Sequence, residues 1–151
     1  YITAAVAQAH LTEAIYVAVE RSREDISLAM TIGARLPLFS SAIGRAILVA
    51  MSQDELEKAL SHGAQLTPNS REAHEDSYKN AKAEFEYRGY CSSFGDWRKD
   101  VNGIAVPIKA HDGRIFAINV GGPAVNLKQK QLETVYAPLL KAAAKNLSLQ
   151  P

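Results

Sequence analysis

Val101 to Pro123 reads VNGIAVPIKAHDGRIFAINVGGP, two apolar runs joined by a short polar turn. The runs VNGIAVPIK and RIFAINV are rich in residues that suit a pleated, half-buried surface, so each is expected to be a strand. Asp112-Gly113 is a strong signal for a tight hairpin turn between them. Pro107 cannot donate to a ladder and predicts an edge or a bulge close to that turn. Asn119 and Gly121 interrupt the second run, and strand alternation sends both to the same face. Two readings of that pair are open. Asn119 is a backbone-bound amide beside a glycine bulge, or it is a polar group in a pocket with room left by Gly121.

Working outward, the chain repeats this strand-rich character at its start. Ile2–Ala9 and Ala14–Glu20 read as a hairpin around HLTE, and Ile26–Ile32 alternates as a third strand ended by Gly33. Pro37 then breaks the strand pattern. Ser40 or Ser41 caps a helix through Ile43, Ile47 and Leu48. Ser52 and Glu55 form a capping box that opens a second helix, which Gly63 is expected to end. Asn69 with Glu72 opens a third, charged helix whose thin buried face is Ala73, Tyr78, Ala81 and Phe85, stopped at Gly89. YCSSF is a short strand. After Pro123, Asn126 and Gln129 cap a last helix with the stripe Leu132, Val135, Tyr136, Leu139, Leu140, Ala143 and Leu147. Pro138 lies inside it and predicts a kink or irregularity. The order is three strands, three helices, three strands and a helix. Short turns between neighbouring strands require antiparallel pairing, so the fold class is α+β, one antiparallel β-sheet flanked by helices.

Composition narrows the function. The 151 residues suit one domain, 1–151, and carry a formal net charge of +1, with no basic block of the kind that binds nucleic acid. The apolar runs are too short for a membrane span, so no membrane partner is expected. A single cysteine, Cys91, forms no disulfide within the chain and suits a reducing cytoplasm. Tyr1 follows no initiator Met and opens no signal peptide, which reads as a piece of a longer protein.

No catalytic set stands out. His10, His62, His74 and His111 are scattered, so no metal is expected, and no cofactor motif is present: there is neither a P-loop nor a dinucleotide fingerprint. No nucleophile, base and orienting group are visible together, so an enzyme is not expected. Three features hint at binding. Gly33–Gly44 crosses into an apolar helix whose first N–H groups can hold a carboxylate. The stretch SSFGDW places Trp97, the one tryptophan, in a loop as a lid or a recognition element. The third is the Asn119–Gly121 pair.

These stretches carry a resemblance. GARLPLFSSAIGRAILVA, the pair Gly89-Tyr90 and VNGIAVPIKAHDGRIFAINVGGPA together resemble, in order, the segments of IclR-family transcriptional regulators. The resemblance covers nearly the whole chain. It implies a GAF-like effector-binding domain that senses a small organic or aromatic carboxylic acid and associates as a dimer or tetramer. Operator DNA would be bound only through a separate N-terminal winged helix-turn-helix, absent from this chain. A GAF-type sensor of another signalling protein is the alternative, and a ligand-free dimerisation domain a further one.

The family's effector-contacting positions, carried over, fall on the backbone N–H groups of Ala42 and Ile43 and on Asn119 and Gly121, where serines are frequent. The family's pocket cysteine falls on Gly103 and its loop aspartate on Ser93. Apolar lining positions fall on Leu28, Leu36 and Val101. Ser93, Gly103 and Gly121 each replace a larger or more polar group, so the resemblance implies a roomier, less acidic pocket than one made for a tiny keto acid. Trp97 or Phe94 would stand near the apolar end of the ligand.

Overall fold

A computed structural model describes residues 2–21, 30–66 and 70–149. The opening stretch is the expected hairpin, β5 (Val101–Lys109) and β6 (Ile115–Pro123), in unbroken antiparallel register from Val101↔Pro123 to Lys109↔Ile115. Gly113 takes the left-handed conformation (φ 87°) in the connecting turn, which an L side chain rarely adopts. β6 runs on through Gly121, Gly122 and Pro123 rather than ending at Val120.

The N-terminal hairpin is β1 (Thr3–His10) and β2 (Glu13–Arg21). The third strand, β3, is Arg35–Pro37 and pairs with Glu13–Ile15. The expected strand at Ile26–Ile32 is not found in its described part. Met30 to Ile32 are not extended into the sheet, Ile32 is exposed, and the remainder, with Leu28, lies outside the described residues. Alternation alone does not say where a ladder forms, and the pairing with β2 is made by Arg35–Pro37. β4 is Cys91–Phe94. All pairings are antiparallel in one six-stranded sheet of order β3-β2-β1-β6-β5-β4. β4 pairs only with Asn102–Ala105, so Pro107 stands past its end, where a missing N–H costs that ladder nothing.

Helices cover both faces. α1 (Ala42–Ala50) packs on the face bearing Ala5, Ala7, Ala105 and Ala117. α2 (Gln53–Leu66) opens with the expected capping box: Ser52 N–H donates to Glu55 (3.1 Å) and Glu55 N–H to Ser52 Oγ (3.2 Å). It passes through Gly63 rather than ending there. A Cβ at Gly63 would meet the His74 ring at 2.8 Å, so this glycine serves close helix approach and not a stop. α3 (Arg71–Arg88) ends as expected at Gly89, φ 80°. Its buried face is narrower than the spacing suggests: Ala81 is buried, Tyr78 and Phe85 are half-buried, and Ala73 is exposed. Asn69 lies outside the described residues. The cap position is Ser70, whose side chain makes no capping bond.

The final helix differs most from its pattern. It comprises α4 (Gln129–Gln131), a π-helical turn at Leu132–Tyr136 and α5 (Ala137–Leu149). Ala137 N–H donates to Leu132 C=O, five residues back. The extra residue sits directly before Pro138, whose ring would otherwise crowd the carbonyl four positions earlier. It also turns the face. Leu132, Ala137, Leu140 and Ala144 are buried, whereas Val135, Leu139 and Leu147 of the expected stripe are exposed. Asn126 does not cap this helix; its N–H closes a turn onto Pro123 C=O.

Candidate functional site

The site is built on one cross-strand row of the sheet. Ser93 of β4 pairs with Gly103 of β5, Gly103 with Gly121 of β6, and Gly121 with Thr3 of β1. All four line a cleft between the sheet and the start of α1. Two glycines side by side leave its floor without side chains, and a Cβ at Gly103 would stand 3.8 Å from Ala42 Cβ.

The start of α1 is fixed by its own sequence. Ser41 Oγ accepts from Gly44 N–H (3.1 Å) and donates to Pro37 C=O (2.7 Å). Gly44 must be glycine, because a Cβ there would lie 2.5 Å from the Leu38 backbone. With Gly44 N–H taken by the cap, the N–H groups of Ala42 and Ile43 are the helix-start donors that have no acceptor within the helix. Arg45, one turn on, threads back: Nε donates to Phe39 C=O (3.0 Å), and Nη1 to Ser92 C=O (2.8 Å) and to Asp96 (2.7 Å). It ties the segment before α1 to β4 and to the loop carrying Trp97.

On the sheet side, Asn119 is 5% exposed and Nδ2 donates to Tyr16 Oη at 2.9 Å, while Oδ1 is buried with no partner among the described residues. A buried, unpaired amide oxygen is costly, which marks this position. Tyr16 faces inward in step with Ala14, and a bulge follows it in β2: Ala7 faces Tyr16, Val6 faces Ala18, and Val17 is the extra residue. Burial pushes the Tyr16 phenol above its ordinary range, against the opposing effect of the Asn119 bond.

The structure brings nine of the ten residues singled out from the sequence into this cleft. They are Ala42, Ile43, Ser93, Gly103, Asn119, Gly121, Leu36, Val101 and Trp97; the tenth, Leu28, lies outside the described residues. Phe94 packs instead with the core on the opposite face of the sheet. The Ser93 hydroxyl is already engaged, donating to Ser40 C=O at 2.8 Å. The cavity within the cleft is small, about 40 Å³. Sequence reasoning missed Tyr16 and Arg45. Each carried a signal: Tyr16 is the aromatic on the inward parity of its strand, and Arg45 is the one charge in an otherwise apolar helix.

Other titratable groups point elsewhere. His74 stacks on Phe39 (4.0 Å between ring centres), and burial lowers its pKa. Cys91 is fully buried, and burial first, then the Glu84 charge, push its thiol up to about 12. Among the described residues no group of three or more potential ligands could hold a metal, and no helix is long and apolar enough to cross a membrane.

Fold and site together place the chain among the α+β domains of bacterial transcriptional regulators. It belongs to the family described as bacterial transcriptional regulator IclR C-terminal, whose profile matches residues 3–149. An IclR-family transcriptional regulator from Brucella abortus is similar over 97% of this chain and 55% of its own, at 32% identity and a TM-score of 0.86. The Pca regulon regulatory protein of Pseudomonas putida is 28% identical over 127 residues, 83% of this chain and 44% of that protein. The chain thus spans about half the length of these two relatives. The inducer binding domain of PobR from Acinetobacter, a double mutant solved with 3-hydroxybenzoic acid, shares the fold. Its TM-score is 0.75 over 97% of this chain and 87% of its own, at 18% identity.

Proposed function

We propose that this domain is the sensor of a transcriptional regulator and binds a small organic or aromatic carboxylic acid in the cleft. The carboxylate takes the N–H groups of Ala42 and Ile43, where the helix dipole favours negative charge. Leu36, Val101 and Trp97 hold the apolar body, and Asn119 orients it. The observation that carries this reading is the unpartnered Asn119 Oδ1, 5% exposed at the residue level, in the cleft that the helix start opens onto. An interior that keeps an unpaired polar atom pays for it unless a ligand completes the site.

On this reading the domain is not an enzyme and acts in the cytoplasm. Copies associate as a dimer or tetramer, and ligand favours one arrangement of them, since equal affinity for two arrangements shifts neither. Exposed Val135 and Leu139, one turn apart, offer apolar surface for such association. A separate N-terminal winged helix-turn-helix would carry operator binding. The family match and the similarity to a longer protein named as a regulon regulatory protein favour this over a sensor attached to a kinase or cyclase. Thermal unfolding with a panel of carboxylic acids tests it. Aromatic or other mid-sized acids should raise the midpoint. If only two- or three-carbon acids do, the larger ligand is wrong, and if none does, the sensor reading fails.

A further inference from the structure

The cavity beside Ala42 and Asn119 is too small for an acid that carries a ring. It measures about 40 Å³, whereas a cavity that takes up benzene measures about 150 Å³. A wall must therefore move before a ring can enter. The floor is held, since Gly103 and Gly121 sit in the continuous ladders of β1, β5 and β6. The start of α1 is held by the Ser41 cap and by the close seat of Gly44 on the Leu38 backbone. The segment between Met30 and Leu36 is tied to β2, where Gly33 N–H donates to Tyr16 C=O (2.7 Å) and Tyr16 N–H to Ala34 C=O (2.9 Å). The remaining wall is Trp97, half-buried against the core beneath α1.

The loop that carries Trp97, residues 95–100, is built to swing. Its ends are closed by backbone bonds: Gly95 N–H donates to Val101 C=O (3.0 Å) and Ala124 N–H to Asp100 C=O (2.8 Å). Gly95 has φ 75°, a conformation that glycine enters and leaves at little steric cost. Between those ends, among the described residues, the side-chain bond from the loop to another element is Asp96 to Arg45, at 2.7 Å. Its two partners are unequal. The Arg45 side chain is 16% exposed and stays fixed by Phe39 C=O and Ser92 C=O when Asp96 leaves. The Asp96 side chain is 51% exposed, so water readily replaces Arg45 on it. Arg98, 5.3 Å from the centre of the Trp97 ring, belongs to the same loop and travels with it.

We infer that Trp97 is a gate, and that the Arg45–Asp96 pair is the latch that holds its indole in the cleft. Release lets the indole withdraw to the mouth, where it covers the apolar body of the acid that takes its place. The inference rests on the sensor reading for the acid but not for the latch. Apparent affinity is reduced by the fraction of molecules that are closed to ligand, so a weaker latch makes binding tighter. A pair that only supported the site would, when cut, weaken binding or leave it unaltered.

Trp97 is the one tryptophan of the 151-residue chain, so its fluorescence reports the gate directly. Acrylamide should quench the free protein more strongly in about 1 M salt, where charges are screened beyond about 3 Å. In Asp96→Asn, with folding checked by thermal unfolding, quenching should be stronger at low salt and no longer respond to salt. Benzoate and cyclohexanecarboxylate should move the emission to the red, and titration calorimetry should show Asp96→Asn binding both about fivefold tighter. If the acids bind but the emission does not move to the red, or the variant binds no tighter, the gate is overturned while the acid site stands. If neither acid binds yet quenching responds as stated, the sensor reading falls and the latch stands. If neither acid binds and quenching ignores both salt and substitution, both fall. The salt comparison uses the unmodified chain and decides the latch even if the variant does not fold.

Discussion

The two faces of one hairpin are built from opposite materials. Toward α1, β5 and β6 turn Gly103, Ala105, Ala117, Asn119 and Gly121; away from it they turn Ile104, Val106, Ile108, Phe116, Ile118 and Val120. The second face is filled by Leu127, Leu132, Ala137, Leu140 and Ala144, in the way a protein interior is filled. The first lets α1 approach closely, yet leaves space and an unpaired amide oxygen at the helix start. Strand alternation allows one pair of strands to do both, since neighbouring residues answer to different neighbours. Both sides of the sheet carry a buried apolar core, and the α1 side also carries the cleft.

That division can be broken by experiment. The largest effect is expected on the filled face. Leu132→Ala should cost about 3 kcal/mol in urea unfolding, the transfer term plus a cavity, while leaving ligand affinity unaltered. A parallel loss of affinity would mean the faces are coupled. On the open face Asn119→Leu should behave in reverse. It removes a buried orphan acceptor along with one hydrogen bond, so stability should change by no more than about 1 kcal/mol. Any acid-induced rise in the unfolding midpoint should disappear. A large destabilisation would make Asn119 a structural residue. The smallest effect concerns Cys91, in register with Ala105 and, through it, Asn119. Its thiol keeps its proton up to about 12 when folded, against an ordinary 9.0. The unfolded chain therefore loses that proton first, and stability is full below pH 9 and falls as pH rises through the interval to 12. Between pH 8 and pH 10 the wild type should lose about 1 kcal/mol more than Cys91→Ala. Equal losses would show that water reaches this row from the cleft.

Much of this was legible in the chain because it was written locally. The Asp112-Gly113 turn, the Ser52/Glu55 box, the Ser41 cap and the Gly89 stop each depend on a few adjacent residues. What was not legible depends on distant partners. Gly63 looks like a stop until His74 of another helix is placed against it. The final stripe read correctly for Leu132 and Leu140 and failed for Val135 and Leu139. The π turn inserts a residue that 3.6-residue periodicity does not count. The site followed the same rule. Its polar and glycine positions were visible from alternation and from resemblance to a family. Tyr16, by contrast, owes its role to Asn119, 103 residues away.

The paired glycines of the cleft floor have a consequence for how such a domain changes over time. Gly103 and Gly121 face each other across two strands, and a methyl group at either meets at most ordinary or slightly tight contacts, 3.4 Å to Val120 C=O and 3.3 Å to Asn102 C=O. Single-nucleotide steps from glycine to alanine or serine would thus raise the floor or give it a hydroxyl, freely at Gly103 and, at Gly121, with the Asn102 carbonyl giving by a few tenths of an ångström. On the sensor reading, editing these two positions would reshape the cleft for a different compound.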